Sequence, residues 1–142
     1  MYPMTNAVLL QSSIIHGLFL LAVLAVTYEK LPMWIIVGVV LVLITSCWNH
    51  GTTSQYAMWC DQGITTIITV IILFVLLTTK IPYGEYIGYG IILAAVLWLL
   101  SYQYTNKIRN RLHLAAHAIS TVSVAAFLFM VYNLHNSPFP RQ

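Results

Sequence analysis

Five continuous apolar runs, separated by short polar stretches, set the pattern of this chain. The first runs from Ala7 to Tyr28 and ends at Glu29-Lys30-Leu31-Pro32, where Pro32 is placed to open the next helix. The second covers Met33 to His50, and the polar loop Gly51 to Gln55 follows. The third covers Asp61 to Thr79, before a turn at Lys80-Ile81-Pro82-Tyr83-Gly84. The fourth covers Glu85 to Tyr104, and the fifth Leu112 to His135, with Pro138 and Pro140 in a short tail. Each run has roughly 18 to 23 residues, and about 20 cross the hydrocarbon core of a bilayer as a helix. Membrane β-strands would alternate apolar and polar positions, which these runs do not. The expectation is an all-α fold: one integral membrane domain, a bundle of about five transmembrane helices.

Composition narrows the class. Hydrophobic residues make up 60% of the 142 positions and charged residues 6%, and mean hydropathy is +0.84. A soluble domain carries roughly a quarter charged residues, so a water-soluble globule is excluded. The net charge of +3 comes from six scattered basic residues, too few for a nucleic-acid stripe. The first run lacks a basic leader and is long enough to span, so no cleavable signal peptide is expected. Cys47 and Cys60 bracket one loop and are expected to be free thiols.

Sidedness follows from the basic residues. Lys107, Arg109 and Arg111 fall in the loop between runs four and five, on the side of the N-terminus, and no acid opposes them. Lys30, Lys80 and Arg141 fall on the other side, beside Glu29, Glu85 and the C-terminal carboxylate. The numbers tie, but the concentration favours the N-terminal side as cytoplasmic. Tyr28, Trp34, Trp48, Tyr56, Trp59, Tyr83, Tyr86, Tyr102 and Tyr104 cluster at run ends, as an aromatic belt does. Gly38, Gly88 and Gly90 are expected to let helices approach closely.

Against this background, five histidines outnumber three acids. An ionisable residue within a span is costly and marks a functional site by default. Ser46 and His50 end run two, Asp61 opens run three, and His113 and His117 start run five. Up-and-down topology brings all five to the N-terminal side of the bundle. His113 and His117 are four apart, so both imidazoles leave one helical face. With His50 they make a three-histidine set, the donor pattern of a catalytic zinc with one open position. Asp61 is then a candidate to accept a proton from water, and Ser46 to hydrogen-bond the water or an oxyanion. The plain alternative is that each polar group bonds across helices or to its own backbone. His16, mid-run in the first span, is expected to hydrogen-bond inside the bundle, and His135 to lie at the far interface.

The strings Ser46-Cys-Trp-Asn-His50, Cys60-Asp61-Gln-Gly-Ile64 and Arg111-Leu-His113-Leu-Ala-Ala-His117 resemble the CREST superfamily. That superfamily includes alkaline ceramidases, progestin/adiponectin-type receptors and hemolysin-III-like proteins, and the spacing is most similar to the ceramidases. The resemblance implies His50, His113 and His117 as zinc ligands, with Asp61 and Ser46 acting on the water and the amide. It also implies hydrolysis of a membrane lipid, chiefly at an amide. It covers these five residues and about 30 positions around them. The family has seven spans and this chain shows five. Two crossings rather than four separate Asp61 from His113, and both numbers are even, so a reduced version returns the pair to the same side.

Two other functions fit the pattern. One is a haem b or quinone anchor of an electron-transfer complex, because the interval from His50 to Asp61 distantly resembles the second helix of succinate-dehydrogenase anchors. The other is a non-catalytic membrane subunit, packed in a homo-oligomer or a larger complex.

Overall fold

In a computed structural model, described for residues 7–79, 81, 83–104 and 106–136, the chain is all-α. The helices are α1 (Ala7–Thr27), α2 (Met33–Gly51), α3 (Gln55–Thr78), α4 (Gly84–Ser101) and α5 (Asn106–Asn136), with a short 3-10 turn at Tyr28–Lys30. All five are long and apolar enough to cross a membrane. Lys80 and Pro82 of the expected turn, Pro138, Pro140 and Arg141 of the expected tail, and the side chain of His135 lie outside the described residues.

Two helices begin earlier than the apolar pattern suggests. Ser54 caps α3 by accepting from the Ala57 amide, so that helix starts at Gln55 and Asp61 sits well inside it. Helix α5 starts at Asn106, so Lys107, Arg109 and Arg111 stand on its first turns and not in a loop. Helix α4 stops at Ser101 and leaves Tyr102 to Tyr104 in the turn. The physical reason is common to α3 and α5: polar residues at a membrane-helix end continue the backbone ladder into the interface, where water solvates their side chains.

Each helix packs on the next in sequence, and α5 packs on α1, so the five close into a ring. Leu20, Val39, Ile72, Ile91 and Phe127 belong to the buried apolar cluster inside it. Close packing is set at two glycines. A Cβ on Gly38 would lie 2.7 Å from Ile68 Cδ1 across the α2–α3 contact, and one on Gly90 would overlap Ser123 Oγ across α4–α5. Gly88 does not behave this way. Its nearest neighbour, Leu73 Cδ2, would be at an ordinary 3.9 Å.

Most end-placed aromatics point outward, including Trp34, Trp48, Tyr56, Trp59, Tyr83 and Tyr86. That suits amphipathic rings at a bilayer boundary. Tyr102 departs from the belt and turns inward, half-buried and edge-on to Trp98 with ring centres 5.2 Å apart.

Candidate metal centre

The alternating topology places the start of α1, the end of α2, the start of α3, the end of α4 and the start of α5 at one end of the ring. Side-chain bonds confirm the register. Ser12 on α1 meets His117 on α5, Ser13 on α1 meets Ser46 on α2, and Ser101 on α4 meets His113 on α5.

His50, His113 and His117 converge there. One ligand atom from each lies within 4.8 Å of the other two. The ring centres are 5.1 Å apart for His50–His113, 5.4 Å for His50–His117 and 4.9 Å for His113–His117. Donors on a tetrahedral ion at about 2.1 Å stand roughly 3.4 Å from one another, so small side-chain rotations would suffice to grip one.

The hydrogen bonds around the triad define its chemistry. Ser101 Oγ donates its one proton to the Trp98 carbonyl at 2.6 Å. Towards His113 Nδ1, 3.3 Å away, it therefore accepts. That fixes the proton of His113 on Nδ1 and leaves the Nε2 lone pair available to a ligand. His117 Nδ1 also meets a serine, Ser12 Oγ, at 3.2 Å. Histidines that bind metals commonly use one ring nitrogen and anchor the other to a neighbouring polar group. His50 supplies the third observation. Its Nε2 is buried and has no hydrogen-bond partner among the described residues. A buried orphan nitrogen costs about 1–3 kcal/mol unless something binds it.

Asp61 is also buried, and Asn49 Nδ2 donates to its Oδ2 at 2.8 Å. Ser46 Oγ lies 3.1 Å from Ser13 Oγ. Asp61, Ser46, His113 and His117 line one cavity of about 410 Å³ to which all five helices contribute. From Asp61 it extends along α3 to Ile72, about 16 Å at the rise of an α-helix. Its inner half is apolar, with Leu20, Val39, Ile72, Ile91 and Val124 in the wall. A polar end and an apolar sleeve suit an amphiphile.

His16 also lines this cavity, and its ring centre is 6.2 Å from that of His117. The expected bundle-interior hydrogen bond of His16 is not found among the described residues. Cys47 and Cys60 are both free.

Several neighbours are not evident from the run pattern. Arg109 places its guanidinium 5.8 Å from the ring centre of Tyr102, whose hydroxyl accepts from Gln62 Nε2 at 3.1 Å. The Tyr102 ring in turn stands 6.4 Å from that of His113. Burial pushes the Tyr102 phenol above its ordinary pKa. Asn49 and Ser101 are inconspicuous in the sequence because a single amide or hydroxyl near a helix end ordinarily bonds locally or to water. The one available signal for Asn49 is its place directly before His50.

No protein family, characterised protein or solved structure matches the chain.

Proposed function

We propose that the protein is a zinc-dependent hydrolase that cleaves an amide, or a related carboxyl linkage, in a membrane lipid. The observation that carries this reading is the buried imidazole triad. Two of its members have their outer nitrogens tied to serines, and the third has an unpartnered buried nitrogen. Three converging imidazoles suit zinc, which leaves a position open for chemistry when three protein ligands hold it. Bound there, zinc supplies Lewis-acid polarisation of a carbonyl and acidifies a water molecule. Asp61 Oδ1 then accepts the proton of the attacking water and returns it to the leaving amine nitrogen as the C–N bond breaks. Asn49 holds the other carboxylate oxygen in place. Ser46 Oγ lies 3.1 Å from Ser13 Oγ, and when Ser13 is the donor of that pair the Ser46 hydroxyl proton is free for the carbonyl oxygen as charge develops on it. The triad end is assigned to the cytoplasmic face, supported by Lys107, Arg109 and Arg111 on the first turns of α5.

The structural-subunit reading has one observation in its favour: the Ser12–His117 and Ser101–His113 contacts tie helices together. It leaves His50 Nε2 without a role. A haem anchor needs two histidines on opposite faces of a macrocycle, whereas these three converge on one point. Elemental analysis and an absorption spectrum of the purified protein separate all three. The hydrolase reading requires about one zinc per chain and no Soret band. A Soret band supports the anchor, and neither signal supports the structural subunit.

A further inference from the structure

We infer that the seam between α3 and α4 is the entrance through which the acyl chain of a bilayer lipid passes sideways into the central cavity. The inference takes its substrate class from the lipid-hydrolase reading, but the entrance itself is read from the cavity wall. Every lining residue on α1, α2 and α5 is buried or half-buried. Three lining residues are instead exposed on the outer surface: Thr66, Val70 at 59% and Leu99 at 58%. All three belong to α3 or α4, so the cavity reaches the outside at that seam. It is also the sparsest helix contact in the ring.

The depth of the opening identifies what passes through it. Thr66 and Val70 lie one turn apart on one stripe of α3, about 7 and 13 Å deeper along the helix than Asp61. Leu99 lies just inside Ser101, the serine that holds His113. The opening therefore begins beside the polar end and runs inward at the level of the hydrocarbon, away from bulk water. Only an apolar chain is present there at high concentration. Inside, Ala94, Ile91 and Val124 continue the apolar surface. A lipid entering chain-first leaves its polar linkage beside the triad.

The test uses full-length protein in phosphatidylcholine vesicles that carry a long-chain N-acyl amide with a mid-chain diazirine. After irradiation, adducts are mapped by mass spectrometry and zinc is measured on the same sample. The expected result is adducts on Ala94 and Val124, with several-fold less labelling at both in Val70→Trp and in Leu99→Trp and unchanged zinc. Both substitutions fall on exposed positions, so the fold should tolerate them. Adducts confined to bilayer-facing residues such as Phe74 and Leu77, or cavity labelling unchanged in both tryptophan variants, would overturn the entrance. Cavity adducts without bound zinc would support it while removing the hydrolase reading. Bound zinc without cavity adducts would do the reverse.

Discussion

At the scale of single residues, the candidate site is a set of nitrogens whose freedom is decided by their neighbours. His113→Ala or His117→Ala should abolish zinc binding, read by elemental analysis. If the double variant keeps about one zinc per chain, the site assignment is wrong. Asp61→Asn should retain the metal and lose hydrolysis of a lipid amide, because the amide cannot take up the water's proton. Ser101→Ala should weaken zinc affinity by about 10- to 100-fold, read by competition with a chelating dye, because His113 loses the group that fixes its tautomer. The histidines, Asp61 and Ser46 were legible in the sequence because a chain with so few charges makes each polar group conspicuous. The supporting serines were not. Ser101 and Ser12 sit in apolar helices, where a lone hydroxyl normally bonds its own backbone, and only the packing of α4 and α1 on α5 gives them imidazole partners.

At the scale of elements, the five helices followed directly from run length, but their ends did not. The runs mark where side chains avoid water, whereas the helices end where backbone hydrogen bonds stop. The six residues from Gln55 to Cys60 show the difference: a serine cap starts the helix before the apolar run begins. The early start of α5 carries Arg109 to the face of Tyr102, beside the triad. Helix spacing is set by contacts such as that of Gly90 with Ser123. Gly90→Leu should push α4 from α5 at a cost of about 1–3 kcal/mol. It should also weaken zinc binding, because Ser101 and His113 sit on those two helices. A thermal melt in detergent together with metal content checks both effects. Gly88→Ala should change neither, because its Cβ meets only an ordinary contact.

For the whole molecule, the ring closure of α5 on α1 gives the triad its global effect. A metal held by α2 and α5, with supporting serines on α1 and α4, ties four helices at one end. Zinc at 100 times its dissociation constant should therefore stabilise the fold by about 2.7 kcal/mol. Chelation should lower the melting temperature of the wild type and leave that of His113→Ala unchanged. Closing the ring last also has a consequence for synthesis. The ribosome makes α5 after the other four helices, and α5 carries two of the three histidines. A nascent chain that has inserted only α1 to α4 holds His50 and Asp61 but cannot assemble the triad. Metal capture at the triad thus waits for completion of the bundle, and a chain stalled after the fourth insertion carries no metal-loaded triad in the membrane.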